Sequence, residues 1–488
     1  MNSTLKRAAV ACLAMFALLM INVNYLQAVA ADEYREDSRN NRNYYERYAV
    51  QRGRITASGK TILAQSKETK GQFRFVREYP EGPLYAHITG FFSPESASDI
   101  EGAQNSLLDG SSPDLLLRRS IDLFTGEPTK GANVDLTVDP RAQKAAYDAL
   151  RRSGKRGAAV AIEPKTGKIL ALVSLPTYDP GKISVPQKPD AFGAYAKLEK
   201  DPDKPLINRA LGDIYAPGST FKVLTAAAWL ESDSGRDGNT TVEAPTRLQL
   251  PNTTATLPNY GGAACGTGQV TMTYALERSC NTPFGKIGLD LGYGAIAEQA
   301  EKFGVGKPLK VPMNVQASTI GAEEKEDPAA IAMTSIGQRS VVMTPLQMAM
   351  IAAGIANDGK VMQPYLVNKV TDAKGESVEE GEPKEFSQAM SAENAQKLKA
   401  MMVSVVNNGT AKTAQIPGVE VGGKTGTAET REGKAPHAWF IGFSPAADPQ
   451  VAVAVFVESG AARVGEEATG GGVAAPIAKD IMEAVLNK

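Results

Sequence analysis

The sequence predicts an α+β chain, and three observations carry that reading. Strand-like and helix-like stretches do not alternate regularly, which argues against a doubly wound sheet. Short strand-like pieces punctuated by Gly and Pro gather between residues 53 and 90. Ahead of them stands an apolar stretch near the N-terminus. The expected organisation is a tail (1–7), a membrane anchor (8–29), a linker (30–50), a small mostly β N-terminal domain (51–155) and a larger mixed domain (156–488). At 488 residues and 42% apolar content the chain is long enough for more than one core. No internal repeat and no nucleotide-binding glycine loop is present in the sequence.

Lys6-Arg7 precede an unbroken apolar run from Ala8 to Ile21, diluted afterwards by Asn22, Asn24 and Gln27. Ala28-Val29-Ala30 has the form of a cleavage site, so a signal-peptide core and a membrane span are both open. Counted through Val29 the segment is long enough to cross a bilayer, and length favours a retained anchor. Either reading sends the remainder outside, with Lys6-Arg7 on the cytoplasmic face. Residues 32–50, charged and Tyr-rich, read as a juxtamembrane linker or helix. Net charge is −1, which gives no sign of a nucleic-acid partner. With only His87 and His437 in the chain a His-rich metal site is excluded, and no organic cofactor is indicated. A Ser-His-Asp hydrolase would have to use one of the two, and His437, just before a strand-like run, reads better as a loop or packing residue.

In order, Gly53–Thr56, Thr61–Ala64, Gln72–Val76 and Leu84–Gly90 read as strands, and Ile100–Leu108 as a helix within a polar loop. A strand ends at Asn133–Pro140 and Arg141–Arg152 is helical. Gly157–Ile162 and Lys168–Leu175 flank Glu163-Pro164-Lys165-Thr166-Gly167, a hairpin by its turn residues. Thr177–Lys204 is Pro-rich and reads as irregular. Helical patterns recur at Thr271–Leu276, Phe284–Leu291, Ala295–Phe303, Ala392–Val406 and Pro476–Leu486. The strongest, Thr344–Asn357, opens with Thr344-Pro345, an N-cap followed by Pro. Two strands are expected, Val419–Thr427 and His437–Phe443 continuing to Val451–Glu458.

The chemistry centres on Tyr215-Ala216-Pro217-Gly218-Ser219-Thr220-Phe221-Lys222, which runs into an Ala/Leu-rich helix. Ser219 and Lys222 sit three positions apart, one turn along the same face. The amine can take the hydroxyl proton, and the helix dipole favours the developing negative charge. Alone this pattern is weak, since a chain of this size contains about one or two by chance. Ser279-Cys280-Asn281 follows about 60 residues on, and Lys424-Thr425-Gly426-Thr427 about 145 beyond that. In an extended loop Ser279 and Asn281 would face one way and Cys280 the other. Lys424 and the hydroxyls of Thr425 and Thr427 suit a carboxylate, and Gly426 would let a substrate backbone lie against the strand. Three decoys occur in the same order: Ser3-Thr4-Leu5-Lys6, Ser38-Arg39-Asn40 and Lys165-Thr166-Gly167. They fail on placement: Ser3 and Lys6 lie across the membrane from the other two motifs, Ser38 sits in a charged linker, and Lys165 occupies a hairpin turn.

The three later motifs are those of the penicillin-recognising serine enzymes. The wording around them resembles the class B penicillin-binding proteins, monofunctional peptidoglycan transpeptidases. The similar segments are Arg52-Gly53-Arg54-Ile55, Pro164–Ala171, Asn208-Arg209-Ala210, Gly337-Gln338, Thr344–Ala349 and Gly423–Glu429, and the short N-terminal domain and Ser279-Cys280-Asn281 are most similar to the actinobacterial penicillin-binding protein A group. Asp179-Pro180-Gly181 departs from the wording common among relatives.

The resemblance implies an antiparallel sheet flanked by helices, Ser219 as acylated nucleophile and Lys222 as its base, neutral in the free enzyme through burial beside other cations. Ser279 would pass a proton to the leaving D-alanine, Asn281 would hold the donor peptide, and Lys424, Thr425 and Thr427 its carboxylate. The backbone N–H groups of Ser219 and Thr427 would form the oxyanion hole. Substrates would be stem peptides ending in D-Ala-D-Ala, β-lactams would acylate Ser219, and partners would be a membrane glycosyltransferase and division proteins. Cys265 and Cys280 close a loop of about 15 residues, and in an oxidising compartment a disulfide there would add roughly 3 kcal/mol. The alternative is a pair of buried thiols. A β-lactamase would need a carboxylate base for water and no membrane domain; a D,D-carboxypeptidase would share every motif; a penicillin sensor or an idle division scaffold is the reading from a different class.

Overall fold

The computed structural model describes residues 3–30, 42–115, 130–322, 325–428, 435–459 and 469–487. Its first element is a helix, Ser3–Ala28, whose apolar side chains face outward with none buried. At 1.5 Å per residue its 26 residues span about 39 Å, more than a bilayer's hydrocarbon core. Of the decoys, Ser3 and Lys6 lie on this helix, and Lys165 in the hairpin turn pairs with Asp448 at 2.5 Å. Ser38-Arg39-Asn40, and most of the expected linker, lie outside the described residues.

Two sheets organise the rest. The larger domain is built on five antiparallel strands in the order Gly422–Ala428, His437–Ser444, Val451–Val457, Gly157–Ile162, Ile169–Leu175. The central strands are buried along their whole length, and so read as continuous apolar runs. Helices Ala474–Leu486 and Pro140–Arg152 pack on this sheet, as does Pro345–Ala356. Every residue of Pro345–Ala356 is buried, which explains a sequence apolar all round. Thr344 caps it, accepting from the Gln347 N–H at 3.1 Å, with Pro345 in the first turn.

The second sheet has six strands, in the order Ser377–Glu380, Val367–Thr371, Asn133–Leu136, Ile55–Ala57, Thr61–Glu68, Phe75–Glu78. Its first two strands come from beyond residue 366, whereas helix Pro140–Arg152 packs against the larger sheet. The two units therefore exchange elements across residue 155.

Two expectations fail here. Leu84–Gly90 is not a strand but lies in the helix Gly82–Thr89. Pro83 in its first turn is a helix-start signal that outweighs the β-branched and aromatic content. Thr177–Lys204 is not irregular: it holds the helices Pro180–Ile183 and Lys188–Glu199. Each has Pro in its first turn, and Asp179 caps the first by accepting from the Gly181 N–H at 3.0 Å.

Arg52 begins the N-terminal unit and is buried in an ion network. Its Nε donates to Glu101 Oε2 at 2.6 Å, and Arg77 Nε donates to Glu101 Oε1 at 2.5 Å. Arg77 also donates to the Gly53 carbonyl at 2.7 Å. Burial alone would raise the Glu101 carboxyl, but the Arg77 and Arg52 charges overcome it and hold the group below its ordinary value. Glu101→Ala leaves two buried guanidinium groups without their counter-charge. It is expected to destabilise the protein by about 3–5 kcal/mol, read as a lowered melting temperature.

Candidate active site

Ser219 lies in a 3-10 turn, Gly218–Phe221, that leads directly into the helix Lys222–Glu231. The turn is pinned from several sides. Trp439 Nε1 donates to the Ala216 carbonyl at 2.9 Å, Gly218 N to the Gly337 carbonyl at 2.9 Å, and Thr220 Oγ1 to the Pro217 carbonyl at 2.7 Å. Gly218 has φ +52°, and a Cβ there would stand 2.4 Å from the Thr427 carbonyl oxygen. Only glycine lets the serine turn and the edge strand Gly422–Ala428 approach so closely.

Three remote segments converge on two buried amines. Lys222 Nζ lies 3.0 Å from Ser219 Oγ, 2.7 Å from the Ser279 carbonyl oxygen and 2.7 Å from Asn281 Oδ1. Lys424 Nζ donates to Ser279 Oγ at 2.7 Å and to the Thr425 carbonyl at 2.8 Å. Both lysines are fully buried. Burial, and then the Lys424 charge, hold the Lys222 amine well below the ordinary lysine range. Burial brings Lys424 down to about 7.

A neutral amine has two N–H donors and one lone pair. Asn281 Nδ2 donates to the Pro258 carbonyl at 3.0 Å, which turns Oδ1 toward Lys222. The Ser279 carbonyl and Asn281 Oδ1 accept the two N–H groups, so the lone pair is left for the Ser219 hydroxyl proton. Ser279 Oγ accepts from Lys424, leaving its own proton to be donated elsewhere.

The expected extended loop at Ser279-Cys280-Asn281 is not what forms. Ser279 has φ +57° and Asn281 opens the helix Asn281–Lys302, so the segment is a tight corner between two helices. Cys280 still turns away, bonded to Cys265 with a Cα–Cα distance of 6.0 Å. Gly426 also has a different reason from the one expected. A Cβ there would stand 2.8 Å from the Pro217 carbonyl oxygen and 3.0 Å from the Thr220 nitrogen, so the missing side chain makes room for the serine turn, not for a ligand. The strand nevertheless lies at the edge of its sheet. Thr425 is buried, its hydroxyl 2.6 Å from that of Thr410, while Thr427 is half-buried.

Sequence reasoning missed Thr410 and Asn259. Asn259 Oδ1 accepts from the N–H groups of Asn281 at 2.8 Å and Thr282 at 3.0 Å, capping the Asn281 helix from outside it. No local capping pattern announces it, because the acceptor comes from 22 residues upstream. His437 packs against Tyr215 and Phe456, at 5.9 and 5.2 Å between ring centroids. His87 is buried against Tyr178, its imidazole pushed down to about 4 by burial. Neither is a described hydrogen-bond partner of Ser219 or Lys222. Among the described residues no group of His, Cys, Asp and Glu side chains could hold a metal ion.

Residues 157–483 match the family described as penicillin binding protein transpeptidase domain, and residues 52–134 the penicillin binding protein A dimerisation domain. The chain is 43% identical to the peptidoglycan D,D-transpeptidase PbpA of Mycolicibacterium smegmatis, over 100% of both chains. It is also 43% identical to PbpA of Mycobacterium tuberculosis, over 100% of this chain and 99% of that one. Among solved structures it resembles penicillin-binding protein A from M. tuberculosis as its penicillin G acyl-enzyme complex. That match has a TM-score of 0.84 and 44% identity over 90% of this chain and 100% of the other. The ceftriaxone acyl-enzyme complex gives 0.86 and 42%, over 91% and 100%.

Two outcomes follow from this geometry. Thiol counting on the unreduced, denatured full chain should find one free thiol, Cys12, whereas three would show that Cys265 and Cys280 are unpaired. Asn259→Ala should lower stability by about 1–2 kcal/mol in thermal melting and slow acylation of Ser219, since it frees the turn that aims Asn281 at Lys222.

Proposed function

The chain belongs to the penicillin-binding protein transpeptidases, and on that premise we propose the roles by which its residues carry out peptidoglycan D,D-transpeptidation through an acyl-enzyme. The observation that carries the assignment is the buried Lys222 amine, 3.0 Å from Ser219 Oγ with both of its N–H groups already committed. Lys222 takes the Ser219 proton as Oγ attacks the carbonyl of the penultimate D-alanine. The backbone N–H groups of Ser219 and Thr427 receive the oxyanion, a role supported by the contact between the serine turn and the edge strand. As the tetrahedral adduct collapses, Ser279 relays a proton to the departing D-alanine amine. Lys424, with the hydroxyls of Thr425 and Thr427, holds the terminal carboxylate, and Asn281 holds the donor peptide as well as Lys222. The amine of a second stem peptide then attacks the Ser219 ester, forming the cross-link and returning the proton to the serine. A β-lactam enters by the same attack, but ring opening keeps its leaving amine tethered and the acyl-enzyme persists.

The outward-facing apolar helix Ser3–Ala28 supports a single-pass anchor with the catalytic domain on the extracytoplasmic side, oriented by Lys6-Arg7. The residues matched as a dimerisation domain, 52–134, form the N-terminal unit from which contacts with division proteins and a membrane glycosyltransferase would be made. The division role rests on the likeness to PbpA.

A fluorescent penicillin should label the wild type stably and Ser219→Ala not at all. Rapid release of the label would point to a β-lactamase instead, and transfer to water but not to an amine acceptor would make the chain a carboxypeptidase. The second-order acylation rate should follow a bell against pH. It falls at acid pH as Lys222 becomes protonated, and falls again as pH rises through about 7 and Lys424 loses the charge that receives the carboxylate. Lys424→Arg, charged throughout, should move the alkaline limb upward.

A further inference from the structure

The corner at Ser279 and the edge strand Gly422–Ala428 are two walls of the site, and Thr410, outside the three motifs, touches both. Thr410 lies in the turn after helix Ala392–Asn407. Its N–H donates to the carbonyl of Glu277, two residues before Ser279, at 3.3 Å. Its hydroxyl oxygen stands 2.6 Å from that of Thr425. The backbone around it is closely fitted. A Cβ on Gly409 would stand 2.5 Å from the Glu277 carbonyl oxygen, and one on Gly471 would stand 2.4 Å from the Thr410 carbonyl oxygen. Main chain from two other segments therefore fixes where the Thr410 hydroxyl sits.

Two hydroxyls in contact share one proton between them, and the second proton of the pair is donated elsewhere. Neither hydroxyl has a further hydrogen-bond partner among the described residues. Thr425 is 6% exposed, whereas Thr410 is open to solvent. Thr425 and Thr427 alternate onto one face of the edge strand, so the remaining O–H lies on the side where the terminal carboxylate is assigned. A hydroxyl that already accepts from another is polarised, and its own proton is donated more strongly, above all to an anion.

We propose that Thr410 is a positioning residue for carboxylate recognition: its hydroxyl donates to Thr425, and so aims the Thr425 proton at the terminal carboxylate of the donor peptide or of a β-lactam. An extended donor meets the edge strand, so the strand residue of the pair presents the proton and Thr410 holds it from behind. The bond from the Thr410 N–H to Glu277 keeps this pair at a fixed place relative to the Ser279 corner. The inference rests on the acyl-transfer reading above and deepens its carboxylate site.

The test uses the full-length chain in detergent and the second-order rate of Ser219 acylation, read by competition with a fluorescent penicillin. Penicillin G carries the carboxylate and its methyl ester does not. Thr410→Val keeps the β-branched shape and removes the hydroxyl. It should lower the rate with the acid by about tenfold or more, the loss of one hydrogen bond to a charge, and move the rate with the ester by less than about twofold. Thr410→Ser should restore the wild-type ratio of acid to ester. A rate with the acid that is unchanged in Thr410→Val would overturn the proposal. So would an equal fall with both compounds, which marks a purely structural role. Where Thr410→Val melts too low to assay, Thr410→Ala against Thr410→Ser decides, and equal ratios in the two would overturn it. Penicillin G failing to label the wild type at all would remove the acyl-transfer reading, and the proposal with it.

Discussion

Two lysines buried side by side are the constraint on which the catalytic domain depends. An ammonium group removed from water loses its hydration, and a second one nearby adds repulsion, so the pair is tolerable only if at least one amine gives up its proton. That requirement dictates much of what surrounds them. Each N–H must find an acceptor inside the protein, and the acceptors come from Ser279, Asn281 and Thr425, on segments far apart in the chain. The corner at Ser279 is bent into a left-handed backbone so that its carbonyl reaches one lysine and its hydroxyl the other. The disulfide from Cys280 and the external cap from Asn259 then hold that corner against the strain.

Close backbone approach is the second requirement. Gly218, Gly337 and Gly426 form a stack in which any Cβ would meet main chain: Gly218 against Thr427, Gly337 against Gly218, Gly426 against Pro217 and Thr220. The serine turn is thereby wedged between the edge strand and the segment around Gly337. This places the start of a helix against an open sheet edge, where backbone donors and an extended peptide can meet. The edge is free because Gly422–Ala428 ends its sheet, with pairing only to His437–Ser444 among the described strands.

The clustering of the candidate site residues is legible in the sequence because they lie in short motifs. Ser219, Lys222, Ser279, Asn281 and Lys424 converge as the motif resemblance implies, and of the decoys Ser3 and Lys6 lie on the apolar helix and Lys165 in a hairpin turn, while Ser38-Arg39-Asn40 lies outside the described residues. The helix Thr344-Pro345 announces and the hairpin around Gly167 were equally readable, since capping and turn chemistry are local. What stayed hidden depends on partners distant in the chain. Gly426 offered no sign that its neighbour would be the serine turn and not a substrate. Asn259 and Thr410 acquire meaning only when Asn281 and Thr425 are brought to them. The hairpin of Val367–Thr371 and Ser377–Glu380 could not be assigned to the N-terminal sheet, because the pairing of its first strand with Asn133–Leu136 spans more than two hundred residues. At Leu84–Gly90 two local signals conflict, and the helix start marked by Pro83 prevails over the aromatic and β-branched content.

The exchange of elements between the two units bears on how the domain works. A hairpin from residues 367–380 completes the N-terminal sheet, while helix Pro140–Arg152 packs on the catalytic one. Separating the units would therefore expose a sheet edge on one side and an apolar face on the other, so neither is an appendage of its neighbour. The ion network of Arg52, Arg77 and Glu101 lies within the N-terminal unit, whose helix Gly82–Thr89 packs on the strand Ile169–Leu175 of the catalytic sheet. Gln143 links these parts directly, donating to the Leu84 carbonyl at 2.9 Å and to the Leu172 carbonyl at 3.0 Å while accepting from the Leu172 N–H. Leu172 lies in the strand Ile169–Leu175 of the catalytic sheet. Through the Gln143 side chain the N-terminal unit is thus hydrogen-bonded to the sheet whose far edge holds Lys424. The small domain is built into the scaffold that positions the two lysines.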